Sequence, residues 1–298
     1  MNFDSWDVLR RAWQITWKQK VLWAFCALPL IPAIFYLLVL GYFFLSKDFM
    51  SDLSSLPNNP TLILLILTAV ITGAISFVCQ VFARAATTFG IIQLERGQVI
   101  PTFAEVSRGG RAYFWRSLEA TLLAGLGTFI FLAVFSTGLV LVGFVTLGLG
   151  SVVGQFLFLP ATLLVRAIIE QSQTALVADA MSPTDAFRRA WGLVKENLGI
   201  FVLMAFVLYA GLAVVNSVAM LPVTAPLLVA VLSWFSGEAT GPSLVWIALS
   251  CFAAFAPLYL LVQALIMLYV RSVHTLVYLR LTRSPILQPL PGNREATS

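Results

Sequence analysis

The sequence predicts an all-α membrane protein of about six transmembrane helices, arranged as three hairpins that each follow a cytoplasmic-face amphipathic helix. Three observations predict it: the composition, the lengths of the apolar runs, and a capped basic motif that recurs. Of 298 residues, 60% are hydrophobic and 10% charged, with a mean hydropathy of +0.93. A soluble domain of this length needs far more polar surface to cover its core, so the bilayer is the natural solvent. A spanning helix takes about 20 mostly apolar residues. Six segments qualify, roughly 21–45, 62–92, 118–135, 139–165, 199–220 and 244–270.

The chain opens on Asp4-Ser-Trp-Asp7-Val-Leu-Arg10, a helix cap, an acid three residues on, and an arginine three further. The same layout recurs at Ser182, where Asp185, three residues after the cap, completes a capping box. In the helix that follows Asp4, Trp6, Leu9, Trp13 and Trp17 share one face, opposite Asp7, Arg10, Arg11, Gln14 and Lys18. That division suits a helix lying in the membrane interface, Trp rings at headgroup depth and cations toward anionic lipid. The charges before the first apolar run, and the length of that run, argue against a cleavable signal.

The first hairpin covers 21–45 and 62–92. Its outer loop, 46–60, holds Asp48, Asp52, Asn58 and Asn59 and no sign of a folded ectodomain. Thr102-Phe-Ala-Glu105-Val-Ser-Arg108 then repeats the opening layout, although the outer motif's Arg-Arg-Ala-Trp becomes Arg108-Gly109-Gly110-Arg111. The second hairpin follows, with Gly150 and Gly154 spaced for close helix packing. Ser182-Pro-Thr-Asp185-Ala-Phe-Arg188 is the third copy, with Pro183 at the first helical position. In the last hairpin Pro222 and Pro226 predict that the fifth span ends and a short apolar segment follows near the outer face. The repeat units run about 3–93, 101–176 and 182–281 within a single membrane domain, 1–283. Residues 284–298, rich in proline, read as a disordered cytoplasmic tail.

The net charge is +5. Lys47 alone among the basic residues falls in loops on one side, and the rest lie opposite or at helix ends facing that side. This positive-inside pattern places both termini in the cytoplasm of a multi-pass plasma-membrane protein. Basic residues dispersed beside apolar runs orient helices, so no nucleic-acid partner is expected.

Signs of catalysis are scarce. His274, the single histidine, stands just past the last run and reads as an interfacial residue. Cys26, Cys79 and Cys251 lie in apolar runs and read as packing residues, so no metal or other cofactor is expected. No metalloprotease, redox, phosphate-loop or nucleophile-elbow pattern occurs. None of the thirteen acids falls at mid-membrane, which disfavours coupling by a buried carboxylate. Gln80, Gln155, Asn216 and Gln263 supply the interior polarity, either as interhelical hydrogen bonds or as a polar path. Arg84, Arg166 and Arg271 each end the second apolar run of a hairpin. They either snorkel to the interface or converge on one anionic headgroup or phosphate. Arg10, Arg108 and Arg188 mark the three capped helices as a second candidate headgroup-binding or partner-docking set.

The segment Asp185-Ala-Phe-Arg-Arg-Ala-Trp-Gly-Leu-Val-Lys-Glu-Asn follows Ala178-Asp-Ala-Met-Ser-Pro and precedes an apolar span. It resembles prokaryotic six-helix integral membrane proteins of uncharacterised function. These are similar to the membrane domain attached to some glycerophosphodiester phosphodiesterases. The resemblance implies the six-helix architecture and a bacterial-type inner membrane. The catalytic domain of those enzymes uses His, Glu and Asp around a metal, and one histidine does not supply it, so hydrolase activity is not implied. The expected function is a non-enzymatic membrane protein that binds lipid headgroups, anionic ones among them, or a protein partner at its cytoplasmic face. The alternative is a transporter or channel for a small or amphiphilic solute, with an intramembrane lipid enzyme third.

Overall fold

The computed structural model describes residues 4–45, 60–97, 102–146, 149–235 and 242–282. Residues 46–59 and 284–298, expected as an outer loop and a disordered tail, and the side chain of Gln155 lie outside the described residues. Among those described, no strand occurs. The helices are α1 (Ser5–Lys18), α2 (Lys20–Ala27), α3 (Leu30–Leu45), α4 (Pro60–Glu95), α5 (Phe103–Val145), α6 (Leu149–Ala178), α7 (Pro183–Glu196), α8 (Leu198–Phe235) and α9 (Pro242–Leu281).

Each sequence-marked cap starts a helix. The Asp4 carboxylate accepts from the Trp6 and Asp7 amides at 3.0 and 3.2 Å and opens α1. At α5, the Glu105 amide donates to Thr102 while the Thr102 amide donates to the Glu105 carboxylate, closing the capping box both ways. The Asp185 amide donates to Ser182 ahead of α7, with Pro183 at its first position.

Among the described residues, four helices are long and apolar enough to cross a membrane, over Ile63–Glu95, Phe103–Val142, Leu198–Pro222 and Ala253–Leu281. Within Phe103–Val142 none of the most apolar stretch is buried by protein. Phe129 and Phe144 stand 70% and 84% exposed. Apolar side chains presented on every side of a helix need hydrocarbon around them, and the chain is a membrane protein on that ground.

Several sequence expectations change in detail. The run 21–45 divides at Leu28-Pro29 into α2 and α3; proline has no amide to continue the ladder. The turn expected between 135 and 139 is absent, and α5 continues to Val145. There the Ser136 and Thr137 hydroxyls both bond back to the Ala133 carbonyl, at 3.1 and 2.7 Å, and are satisfied without leaving the helix. Nor does α8 stop before Pro222. It runs through both prolines to Phe235, with the Thr224 hydroxyl bonded to the Met220 carbonyl; in lipid, breaking the helix would free more polar groups than a proline does. The middle capped segment is continuous with its span in α5. The other two are set off from theirs only by Gln19 and Asn197.

The described residues divide into two compact units. The first draws on Met1–Val21, Arg84–Tyr209 and Tyr269–Ser298. Its core joins Ile92, Ala120, Leu176, Ala186 and Tyr278. The capped helices bury matching positions four and eight residues after the cap: Val8 and Ala12, Val106 and Gly110, Ala186 and Ala190. In α1 this narrow stripe is the buried face, while Trp6, Trp13 and Trp17 are largely exposed, Trp13 touching Tyr269 edge-on with ring centroids 5.9 Å apart. The Gly109-Gly110 pair has a packing cause: a Cβ on Gly110 would sit 2.7 Å from the Ala86 Cβ of α4. The second unit draws on Leu22–Ala83 and Ala210–Leu268. In it Phe25 and Phe82 pack with ring centroids 6.0 Å apart, and Gln263 donates to Asn216.

Candidate functional site

Helices α4, α6 and α9 do not stop at Arg84, Arg166 and Arg271. Each passes its arginine and continues for several turns inside the first unit, anchored by Ile91, Leu176 and Leu276. The turn after each arginine is small and polar, and much of it is buried: Thr87 and Thr88, Glu170 and Gln171, Ser272 and His274. Buried polar groups need partners, and the three helices supply them to one another in a triangle. On the α4–α6 side, Arg84 Nη2 lies 3.3 Å from Glu170 Oε1. Between α9 and α4, Arg271 Nη1 donates to Thr87 Oγ1 at 3.0 Å. From α6 to α9, Gln171 Nε2 donates to the His274 carbonyl at 3.2 Å and faces its ring Nδ1 at 3.4 Å.

The three capped helices occupy the outer sides of this triangle. The first, α1, reaches α4 through Arg11–Glu95 at 2.8 Å and α9 through Asp7–Arg280 at 2.9 Å. Next, α5 presses Gly110 on Ala86 of α4, and its Ser117 donates to Gln173 of α6 at 2.9 Å. Finally, Arg189 of α7 lies 3.5 Å from Asp179, just past α6, and donates to Tyr278 of α9 at 3.1 Å; Tyr278 in turn donates to Asp179. The exposed ion pairs contribute little energy, but they fix which helix neighbours which.

Glu170 is the one carboxylate inside the triangle among the described residues, 8% exposed. Arg84, His274, Arg271 and Arg166 all act on its charge. Three guanidinium groups against one carboxylate leave the cluster positive. Arg271 is buried, Arg84 half-buried and Arg166 exposed, with the Arg166 guanidinium stacked 4.8 Å over the Tyr209 ring. Five buried polar atoms here have no hydrogen-bond partner in the protein: Arg84 Nε, Gln171 Oε1, Tyr209 Oη, Ser272 Oγ and His274 Nε2. Such orphans are uncommon in a native interior, and several close together mark where something else can bond. Among the described residues, no three His, Cys, Asp or Glu gather as metal ligands.

The structure therefore brings Arg84, Arg166 and Arg271 around one carboxylate and keeps Arg10, Arg108 and Arg188 apart from it, exposed on the capped helices. His274, expected as an interfacial residue, is 6% exposed and packed where α6 and α9 meet, because α9 continues into packed protein. Gln80 is exposed and does not line an interior, while Asn216 and Gln263 bond each other. Sequence reasoning missed Glu170, Gln171 and Tyr209. The signal for the first two was a polar run, Glu170-Gln-Ser-Gln-Thr174, inside a helix with no turn residues to make it a loop.

No protein-family model matches the chain, and no curated protein or solved structure is similar enough to count as a relative. Fold and site alone define its class, an all-helical membrane protein with a buried, arginine-rich polar cluster.

Proposed function

We propose that this is a non-enzymatic, multi-pass protein of the prokaryotic plasma membrane that binds anionic lipid headgroups at its cytoplasmic face. One observation carries the reading: a positive cluster, Arg84, Arg166 and Arg271 around Glu170, beside several buried polar atoms that nothing in the protein satisfies. Arginine binds phosphate oxygens through two parallel donors, and a buried excess of positive charge is stabilised by an anion. The threading that fits has three hairpins entering from the cytoplasm, both termini on that side, since the capped helices and the arginines fall together there by the positive-inside pattern. Trp6, Trp13 and Trp191, all exposed on those helices, suit headgroup depth. Among the described amides transport gains no support, because Gln263 donates to Asn216 and Gln80 is exposed.

Purification in native lipid followed by mass spectrometry of the bound lipid tests this reading. Anionic lipid should be enriched over the bulk membrane. Joint substitution of Arg10, Arg108 and Arg188 by Gln should leave most of it bound, whereas loss of retention would move the site to the capped helices. Bound lipid of bulk composition would defeat the proposal.

A further inference from the structure

The three corners of the α4–α6–α9 triangle are not alike. At two of them the arginine reaches across to the next helix and is held there, Arg84 on Glu170 and Arg271 on Thr87. In the same rotational order, the third arginine, Arg166 of α6, would reach His274 of α9. It lies within electrostatic reach of that ring but stacks on Tyr209 of α8 instead. No described carboxylate lies within ion-pairing distance of it.

The consequences gather at that corner. The His274 ring Nδ1 faces the Gln171 amide nitrogen. With that nitrogen donating to Nδ1, the ring proton sits on Nε2, and Nε2 is buried with no partner. The Tyr209 hydroxyl, also buried, has none either. Both rings share the same charged neighbours, Glu170, Arg166 and Arg84. Of the three arginines Arg166 alone is exposed. A guanidinium stacked on a phenol ring, with an imidazole N–H within its electrostatic reach, forms a set of donors, and donors of this kind suit an oxyanion.

We infer that this third corner holds one phosphate group, bound by Arg166, Tyr209 and His274, while Arg84 and Arg271 act as clasps that position the helices. The inference rests on the headgroup-binding reading above and narrows it to one corner and one chemical group. The phosphate belongs either to a lipid headgroup or to free phosphate in solution, and the two sources are separable.

The test uses the full chain in detergent, titrated by native mass spectrometry with phosphatidylglycerol and with diacylglycerol, which has the chains without the phosphate. Wild type should prefer phosphatidylglycerol. Arg166→Gln should weaken that binding about tenfold, the size of one charge-assisted hydrogen bond. Tyr209→Phe, which keeps the ring beneath Arg166, should weaken it several-fold with an unchanged melting temperature. It decides the matter if Arg166→Gln does not fold. Competition by inorganic phosphate would show that the free anion suffices; retained lipid binding in its presence would assign the site to the headgroup. If wild type shows no preference, both the reading and this inference fail. If wild type prefers phosphatidylglycerol and neither variant changes affinity, this inference alone is overturned.

Discussion

Replacing Glu170 with Gln should move stability and anion affinity in opposite directions. The carboxylate lies 3.3 Å from Arg84 Nη2, the two side chains being 10% and 16% exposed. At that separation and an effective dielectric of about 20, the gross attraction is roughly 5 kcal/mol. Much of it offsets the cost of taking two charges out of water, so the net value of the pair is small. Removing one partner is different, because the other charge stays buried; pairs broken this way lose about 3–5 kcal/mol. Gln keeps the shape and one carbonyl acceptor, which puts E170Q at the lower end, about 3 kcal/mol. Anion binding responds with the other sign. Glu170 is the negative neighbour of Arg166, Tyr209 and His274, and its removal should tighten phosphatidylglycerol binding several-fold. Denaturant titration in detergent reads the first effect and lipid titration by native mass spectrometry the second. The double variant R84Q/E170Q should lose less stability than the sum of the two single losses. An E170Q protein as stable as wild type, or one with weaker lipid binding, would refute the reasoning.

Three further outcomes follow from the packing. Gly110→Leu should destabilise by about 1–3 kcal/mol or more through overpacking against α4, because its Cβ would start 2.7 Å from Ala86; Gly73→Leu, where a Cβ meets nothing within 4 Å, should leave the melting temperature unchanged. Tyr278→Phe removes the hydroxyl shared by Asp179 and Arg189 and should cost about 1–2 kcal/mol in denaturant titration. Cysteines placed at Arg10 and Arg188, in a background lacking Cys26, Cys79 and Cys251, should react with an impermeant maleimide from the same side of the membrane. Labelling from opposite sides would end the three-hairpin threading.

What the sequence made legible is what lipid dictates. Apolar runs, caps at Asp4, Thr102 and Ser182, and arginines closing the runs all follow from local chemistry, and the caps form where that chemistry puts them. Boundaries inside the apolar stretches were harder to read. Ser136, Thr137, Pro222 and Pro226 are turn residues in water, yet in a bilayer the helix is the best place for their backbone. The arginines of the site could be named from the sequence, but not their unequal roles. Whether Arg84 meets Glu170 or Arg166 meets Tyr209 depends on the rotation of four helices about their axes, set by contacts as small as Gly110 on Ala86. Tyr209 in particular sits in an apolar run where nothing local distinguishes it from a packing residue.

The salt bridge between Asp7 and Arg280 ties almost the first helical turn to almost the last. During synthesis, Asp7 therefore has no Arg280 to meet until almost the whole chain has left the ribosome. A nascent chain halted before Arg271 would lack the α9 groups that meet Thr87 and Gln171, and the triangle closes only when the last helix arrives.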